Sequence, residues 1–137
     1  MNFPDSSSRQ ELYEAFADYT DRFIDQITDT FAQWIGGSFT TKKLNPNDID
    51  LLTILPKKVF EENERLLQEE FKSKFSDNRL IDSYFLPVRE TNDPKFALYK
   101  SDYVYWLFQF STSRKDRFGK THPRGFVEIV YNDFKYE

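Results

Sequence analysis

The chain has 137 residues, of which 39% are hydrophobic and 18% are aromatic, and it contains no cysteine. This length suits one domain with one core, and the aromatic content excludes a chain that is disordered throughout. The net charge of −4 disfavours long polyanions as partners, and the lack of cysteine excludes disulfides and thiol chemistry.

The amino-terminal segment gives no targeting signal. Residues 1–11 lack a basic stretch followed by an apolar run, and no apolar stretch of the chain approaches the roughly 18–20 residues of a membrane span. We therefore expect a soluble cytoplasmic protein with one domain, residues 1–137, and no membrane partner.

The first predicted element is a long amphipathic helix over residues 9–35. Its apolar residues recur every three or four positions, as a single buried stripe requires: Leu12, Phe16, Tyr19, Phe23, Ile27, Phe31 and Trp34. Ser8 and Glu11 have the spacing of a capping box, which predicts the helix start. Gly36-Gly37 is predicted to end the helix.

A strand is predicted next, from Asp48 to Leu55, after the turn residues around Pro46. Because side chains alternate along a strand, Ile49 and Leu51 should face one side and Asp48 and Asp50 the other.

Pro56 then suits the start of a helix over 57–75, whose apolar face carries Phe60, Leu67, Phe71 and Phe75. A second strand is predicted over 80–86, bounded by Pro87.

The last third of the chain is predicted to contain one helix and one strand. Residues 88–98 resemble a loop, and 99–110 suits either a helix or a strand; the spacing of Val104, Leu107 and Phe108 favours the helix. A polar run, 111–125, leads into alternating residues 126–131, which predict a final strand. These elements together predict an α/β fold.

The strongest functional signal is the pair Asp48 and Asp50. Two carboxylates on one face of a strand can bind a hard cation through oxygen, and Mg²⁺ prefers one or two carboxylates together with phosphate and water. Gly36-Gly37-Ser38 supplies small residues whose backbone N–H groups can approach a phosphate closely. The pattern therefore predicts a site for Mg²⁺ and a nucleoside triphosphate (NTP), in which paired metal ions would activate the attacking group and neutralise the pyrophosphate.

Plain structural interpretations stay open for the same residues. Asp48 and Asp50 can flank a turn, the glycine pair can simply stop a helix, and Lys42 can contact either phosphate or water.

Functional and plain structural interpretations also exist for two further sets of residues. The basic residues of the polar run suit a solvated loop or a phosphate-binding one: Arg114, Lys115, Arg117, Lys120 and Arg124. We interpret His122, the one histidine, as a surface residue, and Tyr103, Trp106 and Phe108 as core rather than as a base-stacking platform.

Gly36-Gly37-Ser38 followed by Asp48-x-Asp50 resembles the signature of the DNA polymerase β-like nucleotidyltransferase superfamily. The stretches from Trp34 to Leu55 and from Trp106 to Ile129 are also similar to small bacterial members without a second domain. The resemblance implies a nucleotidyltransferase-like α+β fold, in which a small mixed β-sheet packs against helices. It also implies a third carboxylate on a later strand, and Asp82 stands in a fitting place.

The implied function is magnesium-dependent transfer of a nucleoside monophosphate from an NTP to a hydroxyl. Asp48, Asp50 and Asp82 would bind the metal ions, Asp82 would take the acceptor's proton, and the NTP would be held by Gly36, Gly37, Ser38 and Lys42. Small members are linked with toxin–antitoxin or phage-defence pairs, which implies a partner protein or a transfer RNA end as acceptor.

The alternative is a catalytically inactive nucleotidyltransferase-fold binding module that acts through a protein partner. Keeping the three carboxylates favours the enzyme, because like charges held close together cost stability.

Overall fold

A computed structural model of the protein describes residues 6–36, 49–73, 81–112 and 117–136. It is a mixed α/β structure in which helices cover both faces of a four-stranded sheet. The elements are α1 (Ser6–Gln26), β1 (Phe31–Gly36), β2 (Ile49–Pro56), α2 (Lys57–Glu62), α3 (Glu64–Leu66), a π-helical segment (Leu67–Ser73), β3 (Ile81–Val88), α4 (Phe96–Ser111) and β4 (Val127–Tyr131).

The sheet is mixed, with strand order β3-β2-β1-β4. Strand β1 pairs antiparallel with both β2 and β4, whereas β2 and β3 are parallel. A parallel pair needs a long crossover connection, and the helical residues between 57 and 73 belong to it. This order places β1 and β2 in the centre of the sheet and leaves β3 and β4 at its edges.

The first helix is shorter than predicted, and the prediction is wrong for its carboxyl-terminal third. Helix α1 ends at Gln26, and Phe31 and Trp34 lie in β1, so Gly36 ends a strand rather than a helix. All six residues of β1 are buried, because helices cover both faces of this central strand. Phe31 and Trp34 belong to different cores on opposite faces of the sheet, so their helical spacing is coincidental.

The start of α1 also differs from the prediction. The helix begins at Ser6, two positions before Ser8, and the side chain of Ser8 lies outside the described part of the chain.

The second helical region is confirmed as helical but is not one continuous α-helix. It is divided into α2, α3 and the π-helical segment, and Leu67 and Phe71 are buried on its inner face as predicted. Phe75 lies outside the described residues.

The predicted strands and the last helix are confirmed, with shifted ends. Strand β3 continues through Pro87 to Val88, so this proline does not bound it. An edge strand tolerates proline because one row of its backbone groups needs no partner strand. Helix α4 begins at Phe96, inside the segment predicted as a loop.

Two separate apolar cores lie on the two faces of the sheet. The first packs α1 and the helical residues 57–73 against one face, around Tyr19, Phe23 and Phe71. The second packs α4 and the carboxyl-terminal residues against the other face, around Trp34, Tyr99 and Phe110. No helix within the described ranges is both long enough and apolar enough to cross a bilayer.

Candidate functional site

Two of the predicted carboxylates lie side by side on neighbouring strands. Asp50 of β2 is the register partner of Asp82 in the parallel strand β3, and Gly36 of β1 is the partner of Asp50 on its other side. Neighbouring strands are about 4.8 Å apart, so the backbones that carry the two carboxylates are in direct contact. Gly36, Asp50 and Asp82 thus form one row across three strands.

The alternation of side chains decides which face this row occupies. Ile49, Leu51 and Ile81 are fully buried in the core beneath α1, which confirms the predicted direction of Ile49 and Leu51. Asp50 and Asp82 therefore point to the opposite face, where α4 lies. The Asp50 side chain keeps 28% of its surface exposed there, so it remains accessible to solvent and to a ligand.

The carboxylate row opens into a cavity of about 410 Å³ between the sheet, α4 and the residues after it. Acidic, aromatic and basic groups all contribute to its wall, which is formed by Asp50, Asp82, Tyr84, Tyr105, Trp106, Phe108, Gln109, Phe110, Thr112, Thr121 and Arg124.

Arg124 brings a positive charge to this cavity. Its Nη2 lies 4.0 Å from Oδ2 of Asp50 and 3.4 Å from the carbonyl oxygen of Gln109. Its backbone is fixed, because the Arg124 N–H donates to the carbonyl of Ser111 at 2.8 Å and Thr112 pairs with Pro123. Among the described residues of the predicted basic loop, Arg124 is directed toward the cavity, whereas Arg117, Lys120 and His122 are exposed.

Aromatic rings form a further part of the cavity wall. The rings of Tyr84 and Trp106 are 4.8 Å apart at 40°, and Trp106 also meets the edge of Phe110. Phe108 is 55% exposed and lines the cavity, so the expectation that it belongs to the core is wrong. Tyr103 and Trp106 are half-buried and do pack against the second core.

Gly36 has a packing reason to be glycine. A Cβ atom at this position would lie 3.0 Å from Cδ2 of Phe110, so the ring of Phe110 fills the space that a side chain would need. Phe110 in turn lines the cavity beside the carboxylates. The phosphate contact predicted for Gly36 stays a prediction.

The other predicted site residues are not part of the described chain. Asp48, Gly37, Ser38 and Lys42 all fall in residues 37–48, outside the described ranges. The described residues contain no group of three or more His, Cys, Asp or Glu side chains that could hold a metal ion. The site as described therefore offers two carboxylates, from Asp50 and Asp82.

These two carboxylates have the chemistry that a magnesium ion requires. They are oxygen donors on adjacent strands, and the cavity above them leaves room for water and phosphate oxygens as further ligands. Mg²⁺ is usually held by one or two carboxylates together with substrate phosphates and water. The residues present fit this ion better than they fit zinc, which prefers histidine and cysteine.

A contact with α1 holds strand β3 next to Asp82, on the face of the sheet opposite to the cavity. The hydroxyls of Tyr19 and Ser83 form a buried hydrogen bond of 2.7 Å between α1 and the residue that follows Asp82. Burial raises the pKa of Tyr19 to about 12. This contact fixes the strand from the face opposite to the cavity.

A second group of charges lies at the carboxyl ends of β2 and β3. Asp93 accepts hydrogen bonds from Lys57 at 2.6 Å and from the backbone N–H of Lys95 at 2.8 Å, and Arg89 lies 3.4 Å away. The hydrogen bond from Lys57 is the main cause that lowers the pKa of Asp93 to about 2. These charges pair with one another, so they tie the loop after β3 to the start of α2.

Sequence reasoning identified Asp50 and Asp82 but gave no special place to Arg124 or to the aromatic wall. Arg124 was one of five basic residues in a polar run, and its approach to Asp50 and the nearby pairing of Thr112 with Pro123 are visible only in the tertiary structure. Tyr84 and Tyr105 carried no signal, because aromatic residues occur throughout this chain.

The fold and the site together define a mixed α/β protein with an acidic pair at the base of an aromatic-lined cavity. The chain belongs to a family of unknown function (DUF6932), whose model matches residues 1–130. No curated protein and no solved structure gives a significant match to the chain.

Proposed function

We propose that this protein is a magnesium-dependent nucleotidyltransferase of the DNA polymerase β-like type, which transfers a nucleoside monophosphate from an NTP to a hydroxyl acceptor. The observation that carries the proposal is the pairing of Asp50 with Asp82 at the base of a cavity that also contains Arg124. Each group in this cavity corresponds to one part of a bound nucleotide.

The acidic pair is the candidate metal site. Asp50 and Asp82 would bind Mg²⁺, with Asp48 as the further ligand predicted from the sequence. The ion would supply charge neutralisation at the phosphates and would lower the pKa of the attacking hydroxyl. Two negative charges on neighbouring strands repel each other and lower the stability of the fold unless a cation neutralises them. This cost supports a functional use for both carboxylates.

The cationic and aromatic walls suit the rest of the nucleotide. Arg124 carries a planar guanidinium, whose parallel N–H groups match two oxygens of a phosphate. Trp106, Tyr105 and Phe108 offer ring faces and edges on which a base can stack, an interaction worth about 1–3 kcal/mol per base. The cavity volume of about 410 Å³ is in the range of ligand pockets.

The reaction would be a single displacement at the α-phosphorus. The acceptor oxygen forms a bond to this phosphorus, the bond to the bridging oxygen breaks, and pyrophosphate leaves with the electron pair. Asp82 is the candidate base for the acceptor's proton, and it must reach that hydroxyl within hydrogen-bond distance. The acceptor is a hydroxyl of a protein or of an RNA end.

The test is calorimetric titration of ATP, GTP, CTP and UTP into the protein with Mg²⁺. Asp50→Asn and Asp82→Asn should each abolish magnesium-dependent binding, because the amide keeps the shape but loses the charge that holds the ion. Asp25→Asn is the matched control, since Asp25 is exposed on α1 at the other face of the sheet. Transfer itself would be measured as pyrophosphate release with candidate acceptors.

A second candidate function is an inactive binding module that acts through a protein partner. The outer side of α4 favours it, because Leu98, Val104 and Leu107 are between 38% and 63% exposed. If none of the four triphosphates binds with Mg²⁺, the nucleotidyltransferase proposal fails and this second candidate is preferred. Substituting Val104 and Leu98 with Ser would then test whether a purified partner still binds.

A further inference from the structure

We propose that Arg124 is an exchangeable counter-ion: it neutralises Asp50 in the ligand-free protein and moves to the triphosphate when a divalent cation binds the carboxylates. This inference rests on the proposed function, because it assigns a second role to a residue of the same cavity. It predicts opposite effects of one substitution on metal binding and on triphosphate binding.

The contact between Arg124 and Asp50 is loose. Nη2 and Oδ2 are 4.0 Å apart, which is longer than a hydrogen bond, and both side chains are 28% exposed. Ion pairs of this kind contribute only about 0–1 kcal/mol, so a stronger competitor can displace them. A divalent cation at the carboxylates is such a competitor, since it carries twice the charge of the guanidinium.

The backbone of Arg124 is held while its side chain keeps unused hydrogen-bonding capacity. The hydrogen bond to Ser111 and the pairing of Thr112 with Pro123 fix the main chain beside the cavity. Nε is buried and has no hydrogen-bond partner among the described residues, and the contact of Nη2 with the Gln109 carbonyl is long at 3.4 Å. A guanidinium has five N–H donors, and a phosphate group offers the acceptors that this one lacks.

The two positive charges compete for one place. A guanidinium at 4.0 Å from Asp50 repels a cation that binds the same carboxylate, so it weakens metal binding until it moves. The triphosphate supplies new acceptors for Arg124 and new ligands for the cation at once. Metal and triphosphate should therefore bind cooperatively, and the protein should hold the bare metal ion weakly.

The experiment compares Arg124→Gln and Arg124→Lys with the wild type. Mn²⁺ binding without nucleotide is measured by electron paramagnetic resonance, and binding of a non-hydrolysable ATP analogue with Mg²⁺ by calorimetry. Mn²⁺ no longer has to displace a guanidinium from Asp50 in Arg124→Gln, so this variant should bind the ion about five-fold more tightly. This factor corresponds to the attraction between two unit charges about 4 Å apart in water. The same change should weaken binding of the analogue about ten-fold or more, because a charge-assisted contact is lost.

Arg124→Lys separates charge from geometry. Lysine keeps the positive charge but lacks the planar fork, so Mn²⁺ affinity should stay near the wild-type value while the analogue binds more weakly. The matched control is Arg117→Gln, which removes an equal charge from an exposed residue of the same loop and should change neither affinity. Circular dichroism and thermal unfolding check that each variant is folded.

The outcomes are distinct. Stronger Mn²⁺ binding together with weaker analogue binding in Arg124→Gln supports the exchange. Unchanged or weaker Mn²⁺ binding in that variant, while the wild type binds the ion, overturns the exchange and leaves the proposed function intact. Absence of Mn²⁺ and analogue binding in every variant, including the wild type, overturns both.

Discussion

Replacing Tyr19 with Phe removes the hydroxyl that joins α1 to β3 directly beneath Asp82. The bond to Ser83 is 2.7 Å long, and both side chains are buried to within 1% of full burial. Losing a buried hydrogen bond costs about 1 kcal/mol, and leaving the Ser83 hydroxyl without this partner adds its desolvation, so we expect a total of about 1–3 kcal/mol. Ser83→Ala should cost a similar amount for the same reason.

A double-mutant cycle tests the origin of this cost. In Tyr19→Phe/Ser83→Ala both polar partners are gone, so the double variant should be about 1 kcal/mol more stable than the sum of the single changes predicts. Urea unfolding followed by the fluorescence of Trp34 and Trp106 measures each free energy. A coupling energy near zero would contradict the assignment of the cost to this hydrogen bond.

The raised pKa of Tyr19 predicts that the protein loses stability at alkaline pH. Burial raises the pKa of Tyr19 to about 12 in the folded protein, against 10.0 for an ordinary tyrosine. As pH rises, Tyr19 therefore loses its proton in the unfolded state before it does so in the folded state. The contribution of the neutral Tyr19 to the free energy of unfolding is fully present below pH 10 and is lost as pH rises toward 12. Two pKa units correspond to roughly 2–3 kcal/mol. Tyr19→Phe should unfold with a shallower pH dependence in this range; an unchanged slope would refute the reasoning.

Three further predictions concern stability. The pKa of Asp93 is lowered to about 2 by Lys57, so the unfolding free energy should fall as pH drops from about 4 to 2, and Lys57→Met should flatten this dependence. Gly36→Ala should destabilise the protein by about 1–2 kcal/mol, because its Cβ would lie 3.0 Å from the Phe110 ring. Phe71→Ala should cost about 3–5 kcal/mol, because a fully buried ring against two other rings is lost. Urea unfolding at controlled pH measures all three.

Each of these has a direct control. Arg65→Met removes an exposed ion pair with Glu69 and should leave the acid limb unchanged. Phe110→Leu should relieve part of the cost of Gly36→Ala, and the absence of any relief would mean that this contact is not the cause. If Phe71→Ala costs less than 1 kcal/mol, the packing assigned to the first core is incorrect.

Local patterns predicted most of the regular elements. The alternation around Ile49 and Leu51, the strand formers after Ile81 and the spacing of residues in α4 all act between near neighbours, so they are visible in the sequence. The same reasoning failed at Phe31 and Trp34, where helical spacing continued into a strand. A central strand buried on both faces is mostly apolar, as β1 is apart from Gln33, and such a run has no period of two that separates it from a helix.

The candidate site, too, was predictable only in part from local patterns. Residue type and spacing selected Asp50, because a carboxylate inside an apolar strand is unfavourable unless it is used, whereas Asp82 was added by the family resemblance. Their placement as register partners depends on the parallel pairing of β2 with β3, which no local pattern encodes.

By itself, then, the sequence predicted the approximate positions of the helices and strands after residue 48, the direction of the side chains along β2, and Asp48 and Asp50 as acidic candidates, to which the family resemblance added Asp82. Only the tertiary structure decided that Asp50 and Asp82 share one row with Gly36, that Arg124 turns inward to meet Asp50, and that α4 closes the cavity with aromatic rings. The physical reason is range: propensity and periodicity act within a few residues, whereas these contacts join residues that are far apart in the chain and depend on strand order.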